Sequence, residues 1–312
     1  MLDVLPITGT IFALLLIGWL AGRLHLFAPS DFALLGRFVV TLAIPALIFR
    51  SITSRPLSGL IDPTYLLAFL LAGLAVFAIG LRASAALGAA PAGQAMDAGG
   101  MSWPNSGFFG YPILLLALPD VAGHALALNM IVENVLLIPL GLVLAERAQA
   151  GRAGLAPILG RLVRNPLLIT ITVSLAIAAS GLRPPDFVLR PVGLLADASV
   201  AMALVVVGGT LAGLGLRAIN IRVLATSVGK LILLPALVAV AWLGLGAAGL
   251  PVDPAMRTAG IVIAASPVIS IYAVLAAPFG EGDQAALTML VQILASFFTL
   301  TALLWSLGLG AS

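Results

Sequence analysis

Cysteine is absent from the 312 residues, so neither disulfides nor thiolate metal ligands are available. Only two histidines occur, His25 and His124, and neither has a second histidine or a carboxylate at metal-ligand spacing. No metal centre is expected. Charge is scarce at 9% of residues against 62% hydrophobic and a mean hydropathy of +1.20, which excludes a soluble core. No Gly-rich phosphate loop of the Walker type is present, so ATP-driven pumping finds no support. The 14 Arg and one Lys form no basic block. A net charge of +3 spread along loops points to membrane topology and not to nucleic acid. The first apolar run has no basic segment before it, so Val4 to Gly22 reads as a retained span and not as a cleaved signal.

What is present is apolar sequence in lengths of about 20 residues, the thickness of a bilayer's hydrocarbon core. Ten spans are expected, at 4–22, 32–53, 63–81, 94–118, 121–145, 165–181, 191–213, 221–246, 255–277 and 284–308. With both termini outside, nine Arg face the cytoplasm (Arg23, Arg37, Arg82, Arg147, Arg152, Arg161, Arg164, Arg217 and Arg222). Five face outward (Arg50, Arg55, Arg183, Arg190 and Arg257), so the positive-inside rule favours this orientation. The decisive weight lies between Glu146 and Arg164, which is also the midpoint of the chain.

A midpoint loop invites a search for a repeat. Ala127 to Glu133 and Ala286 to Gln292 share four of seven residues at an offset of 159, and Ala46-Leu47 matches Ala203-Leu204 at an offset of 157. Five spans per half is an odd number, which forces the halves into opposite orientations: residues 1–147, a cytoplasmic linker 148–164, and residues 165–312. The fourth span holds MSWPNSGFFGYP, Met101 to Pro112, in which two prolines and two glycines break any helix. In hydrocarbon an unpaired backbone group costs several kcal/mol, so such a break persists only where protein or a water-filled cavity satisfies it. The ninth span carries Pro267 with Ser270 three residues on and is expected to be broken as well. Interrupted spans in matching halves mark a transporter's site, where half-helix N-termini favour an anion. Pro112 suits the first position of one half-helix, and Ser270 is a candidate cap for the other.

Polar groups inside the spans are few. Glu133 lies near the middle of span five with Asn129 one turn earlier on the same face, and a carboxylate at that depth needs a cavity, a partner or a proton. Its counterpart Gln292 keeps the hydrogen bonding without the charge, so an ion-linked role is expected to be asymmetric. Lys230 stands roughly 13 Å inside span eight at 1.5 Å per residue. It either snorkels to the cytoplasm, pairs with Glu133 or attracts an anion. Asp197 reads as a packing or gating residue and Arg50 as an interface anchor, while Trp103, Trp305, Met130 and Met289 read as apolar packing or interface residues.

The blocks Arg37 to Val40 with Ile44 to Phe49, Pro104 to Gly107 with Gly110 to Pro112, and Arg164 to Leu167 occur in a familiar order. Asp197-Ala198 with Ala201 to Leu204, Lys230-Leu231 with Pro235, and Ala265 to Pro267 continue it. From about Leu5 to Leu304 the chain resembles bacterial members of the auxin efflux carrier family, related to the plant auxin exporters and more distantly to the bile-acid sodium symporters. The resemblance implies an all-α membrane protein of ten helices in two inverted five-helix repeats. A scaffold of spans 1, 2, 6 and 7 and a transport part of spans 3 to 5 and 8 to 10 follow, with helices 4 and 9 crossing. It places the substrate carboxylate near Asn105, Pro112 and Pro267. Candidate contacts are therefore Asn105, Ser106, Gly107, Tyr111 and Pro112, with Pro267, Ser270, Ile271 and Tyr272. Where the plant exporters carry a second proline this chain has Tyr272, so the second break is expected to be shallower. Bacterial relatives are linked to malate or malonate, and a homodimer in the inner membrane is compatible with the likeness.

The leading expectation is a secondary carrier of small organic carboxylates working by alternating access, and not an enzyme. No cofactor is expected beyond a coupling proton or sodium ion, with Asn129, Glu133, Lys230 and Gln292 as coupling candidates. A voltage-driven anion uniporter, a transporter-like receptor and an intramembrane enzyme using Ser106, Glu133 and Lys230 are the alternatives. The enzyme reading lacks a nucleophile motif.

Overall fold

Proline sets most of the element boundaries. The computed structural model describes residues 4–54, 61–150, 160, 163–182, 184–213 and 219–310. In it, α1 (Leu5–Arg23) leads to α2 (Pro29–Phe38), which runs through a π-helical turn, Val39–Ala43, into α3 (Ile44–Thr53). Next come α4 (Pro63–Ala86), α5 (Pro91–Ser102), a π turn at Ser106–Gly110 and α6 (Tyr111–Ala117). They are followed by α7 (Pro119–Ile131), a π turn at Val132–Leu137 and α8 (Ile138–Ala150). The second half holds α9 (Pro166–Ser180), α10 (Asp186–Ala212), α11 (Ile221–Val228), a π turn at Gly229–Leu233 and α12 (Leu234–Ala247). It ends with α13 (Pro254–Ala264), α14 (Tyr272–Ala276) and α15 (Gly282–Ser306).

Each of the four π turns lies just before a proline near the start of the next helix: Pro45, Pro112, Pro139 and Pro235. The pyrrolidine ring collides with the carbonyl four residues back and offers it no N–H, so the helix widens by one residue to pass it. Side chains also cap several helix starts: Asn220 Oδ1 accepts from Val223 N at 3.0 Å. Asp62 and Asp253 cap α4 and α13 in the same way.

Among the described residues the chain is helical and without strands. Among the described residues seven helices are long and apolar enough to cross a membrane: Leu5–Arg23, Pro29–Thr53, Pro63–Ala86, Pro119–Gln149, Asp186–Ala212, Ile221–Ala247 and Gly282–Ser306. Seven expected spans fall on them. The other three fall on shorter pieces: 165–181 on α9, 94–118 on α5 and α6, and 255–277 on α13 and α14. Arg55, Arg152, Arg161, Arg183 and Arg217, together with most of the linker 148–164, lie outside the described residues.

The helices α1, α3, α9 and α10 pack on one another, and so do α4, α5, α8 and α12. The α1–α10 contact is close because both helices present glycine there. A Cβ on Gly18 would strike Val205 O, and one on Gly208 would strike Leu15 O. Small residues let two backbones approach in this way inside a bilayer, where no hydrophobic gain drives helices together.

Candidate functional site

The two broken segments cross and bond to each other. Asn105 N donates to Pro267 O at 2.7 Å and Ile269 N to Trp103 O at 3.1 Å, forming an antiparallel bridge between Pro104 and Val268. Two extended pieces with proline at their centres thus satisfy part of each other's backbone, which hydrocarbon would leave unpaired. The second break is the longer, from Ala265 to Ile271 against Trp103 to Asn105. Tyr272 does not make it shallower. Its ring packs edge-on against Trp103 at 6.2 Å and its hydroxyl donates to Met96 O at 2.9 Å, so it anchors the end of the break.

Side chains satisfy the backbone groups that the bridge leaves over. Pro104 has no N–H for the carbonyl of Gly100 four residues earlier, and Gln292 Nε2 reaches that oxygen at 3.2 Å. Gln292 Oε1 accepts from Val268 N at 2.8 Å, and its amide also lies 3.4 Å from Thr226 O. Lys230 is fully buried, and its Nζ donates to Ala264 O and Ser266 O, each at 2.6 Å. It therefore neither snorkels nor pairs with Glu133. Its Nζ sits at the carbonyl end of α13, where the helix dipole favours a donor or a cation. Sequence reasoning weighed charge partners for this lysine and not backbone carbonyls that an adjacent break had set free.

Asn105 organises the first break. Its Oδ1 accepts from Phe108 N at 3.2 Å, its carbonyl accepts from Gly110 N at 2.8 Å, and its Nδ2 donates to Ser270 Oγ at 2.8 Å. Ser270 accordingly accepts from Asn105 and does not cap the second half-helix; α14 begins at Tyr272, and Ile271 at its N-cap makes no side-chain cap. Pro112 does not take the first position of a half-helix: helical backbone runs from Ser106 to Ala117, and the π turn at Ser106–Gly110 accommodates its missing donor. Gly107 leaves room for Ile44 and Met130, whose ends would meet a Cβ at 2.8 and 3.3 Å.

Beneath the crossing lies a buried acid. Glu133 Oε1 accepts short hydrogen bonds from Ser106 Oγ and Asn129 Nδ2, and Asn129 Nδ2 also reaches Ser106 Oγ at 2.7 Å. All three side chains are buried, and Asn129 Oδ1 has no hydrogen-bond partner among the described residues. Three oxygen-bearing groups on one spot suit a proton or a hard cation. On the other side, Tyr111 lies against Arg50, whose Nη1 bonds Asp197 Oδ1 at 2.7 Å, joining α3 to α10. Ile271 is 52% exposed at the end of the second break.

Two features escaped the sequence reading. Trp103 is fully buried, and its Nε1 donates at 2.9 Å to Leu137 O, a carbonyl at the end of a π turn. The buried Asp97 accepts from Ser84 Oγ and from Arg222 Nε, and Arg222 also holds Glu281 at 3.0 Å. An acid within an expected span was the available signal for this cluster.

The sequence matches the Membrane transport protein family over residues 6–157 and 152–306, nearly the whole chain. The chain belongs to the auxin efflux carrier family of membrane transport proteins. This membership makes it a multi-pass transport protein and accounts for the order of the motif blocks that surround the crossing. A relative from Rhizobium meliloti (strain 1021), named "Putative malonate transporter", is 29% identical over 316 residues, covering 99% of this chain and 96% of that protein.

Proposed function

We propose that this family member is a secondary active carrier of small organic carboxylate anions, working by alternating access in a bacterial inner membrane. The observation that carries the reading is the bonded crossing of two interrupted helices, an arrangement that supplies polar groups at membrane depth. In this reading ten spans form two inverted five-helix repeats, residues 1–147 and 165–312, joined by a cytoplasmic linker. The mutual packing of α1, α3, α9 and α10 supports a scaffold part, and that of α4, α5, α8 and α12 a transport part. A homodimer is consistent with such a scaffold.

The carboxylate would lie among Asn105, Ser106, Gly107, Tyr111 and Pro112 on one side and Pro267, Ser270, Ile271 and Tyr272 on the other. Asn105 Nδ2, now bonded to Ser270, would turn to the anion, and the N–H groups at the start of the Ser106–Ala117 segment would face its charge. The name of the Rhizobium relative favours a dicarboxylate of malonate's size. Gln292 and Lys230 would hold the crossing in shape and would not touch substrate.

Coupling would run through Glu133, the acid nearest the crossing, which can bind and release a proton. The free Asn129 Oδ1 favours a second coupling reading, in which Asn129, Ser106 and Glu133 hold sodium. Glu133→Gln is expected to abolish the pH dependence of net flux while exchange persists; loss of sodium stimulation instead would select the second reading. Flux that follows voltage alone, at about 2.3 kcal/mol per charge per 100 mV, would leave a uniporter.

Thermal stabilisation by a panel of mono- and dicarboxylates identifies the ligand, because an anion that binds only the folded state raises its apparent stability. Flux assays with the best binder in liposomes then decide the class. Flux without chemical change is expected. Product formation would indicate an enzyme, and binding without flux a receptor.

A further inference from the structure

An apolar groove of about 660 Å³ lies beside the crossing, and Phe12 in its wall packs edge-on against Phe109 of the Ser106–Gly110 turn at 5.9 Å. Its walls come from three helices: Phe12, Leu15 and Trp19 of α1, Leu211 of α10, and Leu290 and Leu294 of α15. At one end it meets a second cavity, of about 530 Å³, and Arg23 and Ala212 line both. The 19 residues of α1 span about 28 Å at 1.5 Å each, close to the hydrocarbon thickness, so Arg23 and Trp19 stand at headgroup level.

Arg23 is exposed and makes no ion pair among the described residues. Its guanidinium rests 5.7 Å from the centroid of the Trp19 ring, which holds the charge over the mouth of the groove. Asp31, the acid closest along the chain, is engaged with Ala28 N at 2.8 Å. An apolar channel ending in an unpaired, tethered guanidinium matches one ligand chemistry, a hydrocarbon chain carrying a phosphate.

We infer that this groove binds one anionic glycerophospholipid, an acyl chain lying between α1, α10 and α15 and the phosphate on Arg23. The chain moves from one apolar surrounding to another on entering, so it contributes reach and shape but little selectivity. Preference for an anionic headgroup comes from Arg23. The lipid would bridge α10 and α15, elements that the proposed function assigns to different moving parts.

Trp19 lines the site and is its own reporter. Trp103 and Trp242 are buried, so a Trp305→Phe background leaves Trp19 as the indole open to lipid. The protein is placed in phosphatidylcholine vesicles containing either chain-brominated phosphatidylglycerol or chain-brominated phosphatidylcholine at equal mole fraction, and Trp quenching is titrated. Phosphatidylglycerol is expected to quench at about fivefold lower mole fraction, the equivalent of about 1 kcal/mol for one Arg at the surface. The difference is expected to vanish in Arg23→Ala, to persist in Arg23→Lys and to disappear with the signal itself in Trp19→Phe. Equal quenching by both lipids would overturn the site as ordinary bilayer contact. Absence of quenching by either would overturn it in favour of a second copy covering the groove, and a preference surviving Arg23→Ala would place the phosphate elsewhere.

Discussion

Replacing Gln292 with Leu tests how the crossing is held. The substitution keeps a similar volume and removes one acceptor and two donors. Val268 N loses its acceptor at 2.8 Å and has no helical carbonyl to replace it. Gly100 O loses its donor at 3.2 Å, and Pro104 offers none. Thr226 O retains Gly229 N, and the contact it loses is long at 3.4 Å, so it adds little. Two buried backbone groups left unpaired cost about 1 to 3 kcal/mol each. Polar contacts between membrane helices average nearer 0.6 kcal/mol, which lowers the sum to roughly 2 to 4 kcal/mol. Purified Gln292→Leu is therefore expected to melt about 5 to 10 °C below wild type and to lose most of its substrate exchange. Gln292→Glu keeps the acceptor for Val268 N but turns negative charge toward Gly100 O, so it should fall at least as far. A Gln292→Leu protein with wild-type melting and exchange would refute the claim that this amide completes the crossing.

Asn105→Ala is expected to weaken substrate affinity by about two- to tenfold, one ligand hydrogen bond, in a protein that still inserts; ligand-dependent melting shifts measure it. Pro112→Ala and Pro267→Ala should slow exchange more than they reduce insertion, because a healed helix draws N–H groups back into its ladder; flux per inserted molecule is the readout. Lys230→Met, which leaves Ala264 O and Ser266 O without their 2.6 Å donor, should lower the melting temperature at every pH while Glu133→Gln changes the pH profile of flux. Similar pH profiles in the two variants would mean that Lys230 acts on the ion and not on the backbone.

The helical character and the positions of the breaks were legible because they rest on local chemistry. Runs of apolar residues about 20 long, and prolines without donors, act wherever they stand. The partnership of Glu133 with Asn129 was legible for the same reason, since four residues make one helical turn. Partners far apart in the chain were not. Gln292 reaching Gly100, Lys230 reaching Ala264 and Asn105 meeting Ser270 are contacts that only the crossing creates. Lys230 is the clearest case. A lysine inside a span suggests a carboxylate partner, yet the carbonyl end of a helix cut short by a break offers it two oxygens. The tryptophan of the first break read as apolar packing or an interface residue; its hydrogen bond was not legible, because the acceptor Leu137 O is presented by a π turn on another helix.

The absence of cysteine makes the central claim directly measurable, because a single introduced thiol stands alone. Ile271, 52% exposed at the crossing, is the position to use. Ile271→Cys protein in right-side-out and inside-out vesicles is treated with a membrane-impermeant methanethiosulfonate, with and without the carboxylate that stabilises the protein most in the thermal panel. Alternating access around the crossing predicts labelling from both sides, slowed from both by that carboxylate. Labelling from one side alone, at a rate indifferent to it, would contradict the account.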